Sequence, residues 1–166
     1  DLGELSEVLA SSKNRDYNAQ LDAWQGWHTT SQPMRKDYVR FVELVNEGAK
    51  GMGFADAGEM WRSGYDMTPA EIAAETDRLW GQVKPLYEQL HCYTRTKLND
   101  KYGDAVQAKT GPICADLLGN MWAQEWGDIY DIVAPAGSGD IGYDIGAQLK
   151  AKGKSELDMV KMGENF

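Results

Sequence analysis

The stretch from residue 68 to about residue 101 constrains this chain more than any other. It opens TPAE, with Thr68 as a hydroxyl cap, Pro69 at the first helical position and Glu71 placed to close a capping box. Ile72, Leu79, Val83, Leu86, Leu90, Tyr93 and Leu98 then continue one apolar face. The spacing predicts one long helix. Pro85 lies inside it and should kink it, because proline lacks the N–H that the carbonyl four residues earlier requires.

The same periodicity recurs along nearly the whole chain, and strand alternation is almost absent, so the fold class is all-α. Tyr17, Leu21, Trp24 and His28 mark one face of a first helix. Ser31 and Pro33 signal the start of a second, whose face is Met34, Tyr38, Phe41, Val42, Val45 and Ala49, spaced by 4, 3, 1, 3 and 4. Gly51 and Gly53 end it. Asp56 and Glu59 form a capping-box pattern ahead of Met60 and Trp61.

Gly111-Pro112 breaks the chain before LLGNMWAQEWGDIYDIV (117–133). There Leu117, Leu118, Met121, Trp122, Glu125, Trp126, Ile129, Tyr130 and Val133 recur at helical spacing, which predicts a further helix stopped by Pro135. APAGSGDIG (134–142) reads as a loop. A short helix near 143–152 ended by Gly153 follows, and Ser155 with Asp158 marks another start. The sequence closes on Phe166, an apolar residue with no polar tail. The expectation is a single helical segment, residues 1–166, of a longer domain that continues further.

Composition narrows the function. A 42% hydrophobic fraction supports a real core, and a net charge of −9 argues against a nucleic-acid partner. Lys and Arg are scattered, so an anionic membrane surface is a poor partner too. No apolar run approaches the roughly 20 residues that span a bilayer. The N-terminus lacks the basic start and apolar centre of a signal peptide.

The chemistry-bearing side chains are few. The only histidines are His28 and His91, and no HExxH, GxSxG, P-loop or dinucleotide GxGxxG occurs. His91-Cys92 is a weak metal cue, since adjacent helical residues point about 100° apart. Cys92 and Cys114 form no CxxC pair and read as helical core thiols, with a single disulfide between them as the alternative. Asp66, Glu71, Glu75, Glu125 and Asp128 are candidates for a cleft, although acids on amphipathic helices most often form the solvated face. Arg95, between Tyr93 and Leu98, lies close to an apolar face. It must pair with a carboxylate, bind an anion or snorkel outward. Arg62 reads as a structural salt bridge.

LLGNMWAQEWGDIYDIVAP (117–135), LYEQLHCYTRTKL (86–98) and GFADAGEMWRSGYD (53–66) closely resemble the angiotensin-converting enzyme family of zinc dipeptidyl carboxypeptidases. AWQGWH (23–28) and YVRFVELVNEGAK (38–50) agree in order and spacing, so the resemblance covers nearly the whole chain. It implies a mostly helical, deeply clefted peptidase that removes dipeptides from peptide C-termini. Zinc in that family is held by an HExxH helix and a later glutamate, and the HExxH glutamate acts as general base. None of these groups is in this sequence, so no catalytic residue and no metal ligand is expected here. The segment by itself should be inactive.

Family members also bind chloride beside the cleft. The resemblance places Arg95, the arginine of LHxYxR, at one such site. It places Tyr130, with Trp126 nearby, at the other. A guanidinium brings charge and a phenol donates a hydrogen bond, so both types suit an anion. The implied partners are peptide substrates and the remainder of the parent chain. The two cysteines, the loop APAGSGDIGYD and the absent glycosylation sequon lean towards a bacterial-type member, extracellular or periplasmic. The rival reading is a non-catalytic helical module whose aromatic face binds a peptide or a partner helix.

Overall fold

The computed structural model describes residues 1–13, 15–138 and 144–166. Among the described residues every regular element is helical. Eight α-helices run in order: α1 (Leu2–Ala10), α2 (Tyr17–Thr29), α3 (Arg35–Gly51), α4 (Ala57–Arg62), α5 (Pro69–Tyr102), α6 (Tyr130–Val133), α7 (Ile145–Ala151) and α8 (Glu156–Glu164). Short 3-10 turns lie at Gln32–Met34, Ala115–Leu117 and Gly127–Ile129. None of these helices is long and apolar enough to cross a membrane. The chain divides into two units, Asp1–Val133 and Ala134–Phe166.

Local chemistry sets most helix ends. At α5 the Thr68 side chain accepts from Glu71 N, and the Glu71 carboxylate accepts from Thr68 N at 2.8 Å. The helix runs unbroken through Pro85 for 34 residues, about 50 Å, and stops at Gly103, whose φ is +80°. The α4 cap is shifted by one position. Asp56 accepts from Glu59 N at 2.8 Å, but the Glu59 carboxylate reaches Ala55 N. At the end of α3, Phe54 N bonds back to Ala49 O at 3.1 Å, with Gly53 at φ +92° in the left-handed conformation this closure needs. Ser31 does not cap α3; its hydroxyl donates to His28 O at the end of α2.

The sequence reading passed over α1. Its start is nonetheless a capping box, in which Asp1 accepts from Glu4 N and Glu4 accepts from the N-terminal amine. α1 packs against α2 as a hairpin and buries Leu9 completely.

The largest departure from the sequence reading is at residues 117–133, which do not form a continuous helix. The chain turns through Ala115–Leu117, reverses direction at 119–126, and becomes helical again only at Gly127–Ile129 and α6. Gly119 makes the reversal feasible. It sits at φ +76°, and a Cβ there would lie 2.8 Å from Asp128 Cβ. Asn120 Oδ1 accepts from Trp122 N, and Ala123 takes a left-handed φ of +53°. Leu117, Leu118, Met121 and Ile129 are all buried in spite of the turns. Their spacing was therefore a true core pattern produced by turns instead of by a helix.

The core of the first unit is Leu98, Leu117, Leu118 and Ile129, with Tyr17, Tyr102, Val106, Ile113 and Trp126 packed against it. In the second unit, Asp144 caps α7 and Gly153 ends it at φ +63°. Ser155 and Asp158 form the capping box of α8. No described residue of this unit is fully buried. Residues 139–142 of the expected 134–142 loop lie outside the described residues, as does Tyr143.

Candidate functional site

The candidate site is organised by the late turns of α5. Tyr87, His91 and Arg95 recur every four residues, so they share one helix face. Arg95 Nε donates to Lys109 O at 3.0 Å and Nη1 donates to Gly111 O at 3.0 Å. Nη1 also meets His91 Nδ1 at 3.2 Å, and Nη2 lies 3.6 Å from Cys92 Sγ. A guanidinium only donates, so His91 accepts through Nδ1 and its ring proton belongs on Nε2. Of the five N–H groups of a guanidinium, these contacts occupy four. The N–H left over is on Nη2, and that is the direction from which an anion would be met.

The carbonyls that Arg95 uses are held in place by a buried amide network. Gln107 is 1% exposed; its Nε2 donates to Ala108 O and Pro112 O, and its Oε1 accepts from Cys114 N at 2.9 Å. Asn99 donates to Gln107 O and to Asp104 Oδ1. The Asn99 bond, with the nearby Lys109 charge, holds the Asp104 carboxyl below its ordinary value. Neither amide was singled out from the sequence. Buried polar residues at a helix end and in a loop carry no periodic signal.

Trp126 is half-buried and faces α5. Its ring lies 6.3 Å from both His91 and Tyr87, and its Nε1 donates to Ala123 O at 3.3 Å. Tyr87, Leu90, Gln124, Glu125 and Trp126 edge an open groove there. Tyr130, at the start of α6, is 47% exposed, and among the described residues its hydroxyl makes no hydrogen bond. Through His91 the structure joins Trp126 to Arg95. No ring contact links Trp126 to Tyr130 among the described residues, because the chain between them is a turn.

The other candidates separate as well. Glu71 closes the α5 cap, Glu75 pairs with Arg78 at 2.5 Å, and Glu125 accepts from Asn120 at 3.3 Å. Asp66, Glu71, Glu75 and Arg78 border a shallow open groove. Asp128 acts through its backbone carbonyl, which accepts from Arg15 at 2.7 Å. Arg62 makes no ion pair among the described residues. Both cysteines are free: Cys92 is exposed, and Cys114 is half-buried in a loop with its Sγ 3.3 Å from Val106 O. They are therefore not the helical core thiols that the sequence suggested.

The residues present do not fit zinc. His28 Nδ1 is engaged by Trp24 O at 2.8 Å, with its ring stacked on Trp24. His91 and Cys92 both face the Arg95 guanidinium, which would repel a metal cation. Among the described residues no three His, Cys, Asp or Glu converge on one point.

Comparison with known proteins places the chain in a family. A family model described as Angiotensin-converting enzyme matches residues 2–166. Angiotensin-converting enzymes of Sus scrofa and Bos taurus are each 42% identical over 164 residues, which is 98% of this chain and 12% of theirs. That of Haematobia irritans exigua is 37% identical over the same length, 26% of its own chain. This chain thus spans between about an eighth and a quarter of these relatives. By the extent and identity of these matches, the chain belongs to the angiotensin-converting enzyme family of peptidases.

Proposed function

We propose that this chain is part of a zinc metallopeptidase that removes dipeptides from peptide C-termini. In this reading it supplies cleft wall and anion-site residues, and the catalytic groups come from elsewhere in the parent protein. The observation that carries it is the match at 42% identity across 98% of the chain. Zinc, held outside this segment, supplies the polarised carbonyl and activated water of hydrolysis. The residues described here bind and position; none of them transfers a proton to the substrate.

The exposed apolar surface supports a partner made of peptidase chain. Tyr38 and Phe41 on α3 are 66% and 54% exposed, and Leu86 on α5 is 75% exposed. Contiguous apolar faces of this kind mark surfaces that another element covers. The remainder of the parent chain is that element, and peptides are the substrates of the whole. The half-buried Arg95, with one N–H unused, and the exposed Tyr130 hydroxyl serve as chloride ligands beside the cleft. The site of action is extracellular or periplasmic.

The test is a comparison of two proteins. The full parent protein should release dipeptides from the C-terminus of a model peptide and lose that activity to a chelator. Residues 1–166 alone should show neither activity nor stoichiometric zinc. A parent without peptidase activity, or tight zinc on residues 1–166, overturns the reading. The first of these results would favour the helical binding module.

A further inference from the structure

One bond of the Arg95 cluster depends on the absence of a proton. Arg95 Nη1 donates to His91 Nδ1 at 3.2 Å and to Gly111 O at 3.0 Å, so both N–H groups of that nitrogen are committed. The first bond needs a bare Nδ1 lone pair, and an imidazole has one only while neutral. Histidine is the side chain that ordinarily changes charge between about pH 5 and 8. A proton on Nδ1 would set one N–H against another, and one cation against a second.

The guanidinium is a rigid plane, so it cannot give up His91 alone. Turning Nη1 away also disturbs its bond to Gly111 O and the Nε bond to Lys109 O. Among the described residues no carboxylate is bonded to His91 or Arg95 to offset a new charge. The charged groups nearby are engaged elsewhere: Lys109 with Asp104 at 3.6 Å, Glu125 with Asn120 at 3.3 Å, and Glu88 of α5 with Lys84 at 3.7 Å. The Cys92 thiol meets only the far nitrogen of Arg95, at 3.6 Å. A cationic His91 would still have somewhere to turn. The rings of Tyr87 and Trp126 lie 6.1 and 6.3 Å from it, and aromatic faces attract cations.

We infer that His91 is a pH-sensitive latch on the brace that Arg95 makes between α5 and residues 109–111. Neutral His91 holds the guanidinium in place; as pH falls through the range where the imidazole takes up a proton, the brace is released. The release is local. Gln107 ties Ala108 O, Pro112 O and Cys114 N through an amide that does not titrate, so residues 112–114 stay fixed. Asp104 is not the source of a change near neutrality, because its carboxyl is held below its ordinary value. The latch does not depend on whether Arg95 also holds an anion.

The experiment is hydrogen–deuterium exchange mass spectrometry on the full parent protein between about pH 5 and 8, in chloride-free buffer. Slow exchange at the imidazole C2 position gives the titration midpoint of His91. Amide exchange, corrected for its intrinsic rate, gives the protection of residues 109–111. That protection should fall about three- to tenfold as pH drops through the His91 midpoint, while residues 112–114 keep theirs. His91→Gln offers Arg95 an acceptor that stays neutral, and should flatten the profile. A His91 that remains neutral down to about pH 5, or protection that ignores its midpoint, overturns the proposal. So does a pH dependence that survives His91→Gln. Should the variant fail to fold, the coincidence of the two wild-type profiles still decides.

Discussion

The two halves of α5 carry the same apolar periodicity and end in opposite environments. In the C-terminal half Thr94, Leu98 and Asn99 are buried, Arg95 braces the 109–111 loop, and the Tyr93 hydroxyl donates to Val133 O at 2.8 Å. Ahead of these turns, Leu79, Trp80, Val83, Leu86 and Leu90 are all exposed. The difference lies in what reaches each half. The loop after Gly103 and α6 pack on the late turns of α5, and Tyr102 there reaches Gln20 of α2. Periodicity names the residues that share a face; it does not say whether anything covers that face.

The sharpest way to break this comparison is to truncate a leucine on each side. Leu98→Ala should cost about 2–5 kcal/mol in urea unfolding, because the side chain fills a closed core. Leu86→Ala in residues 1–166 should stay within about 0.5 kcal/mol, since its side chain already meets solvent. In a parent protein that covers this face, the Leu86 effect should rise towards that of Leu98. Equal losses in residues 1–166 would show the two halves to be alike.

Gly119→Ala probes the turn that lets residues 117–133 cover α5. The left-handed φ and the 2.8 Å approach to Asp128 Cβ should together cost about 2–4 kcal/mol in the same assay. Gly81→Ala, on the open half of α5, meets no atom within 4 Å and should be neutral or slightly stabilising. Arg95→Lys keeps the charge but loses the fork across Lys109 O and Gly111 O. About 1–2 kcal/mol should go with it, and amide exchange should rise in residues 103–114. Unchanged exchange would mean that the guanidinium does not brace the loop.

The smallest effect is on pH. Bonds from the Thr68 side chain and backbone hold the Glu71 carboxyl below its ordinary value, and the Ser155 backbone and side chain do the same for Asp158. A depressed carboxyl stabilises the cap above its unfolded value, about 4, and the gain disappears as pH falls through the lower folded value. Protection of the amides at the starts of α5 and α8, relative to their intrinsic exchange rates, should therefore fall below about pH 4 and stay flat between about pH 6 and 8. Increased fraying on going from neutral to alkaline pH would contradict the assignment.

Helix ends were legible wherever a cap is written in side chains that touch only their neighbours. Thr68 with Glu71, Asp56, Ser155 with Asp158, and Gly153 all stand where the pattern places them. The 117–133 stretch was misread because turns around Gly119 and Asn120 reproduce the spacing of a helix. Of the candidate site, the sequence marked Arg95 as an arginine beside an apolar face. It could not show that His91 and two carbonyls occupy most of its donors, or that Trp126 turns towards His91 and not towards Tyr130.

By itself, then, the sequence determined the all-α class, most helix boundaries and membership of the peptidase family. Each of these is written in residues a few positions apart or in a motif read in order. Only the tertiary structure decided which apolar faces are covered, how residues 117–133 reverse, and which polar atoms Gln20 and Gln107 meet. Those outcomes depend on segments distant in sequence arriving at the same place, and no local spacing records that.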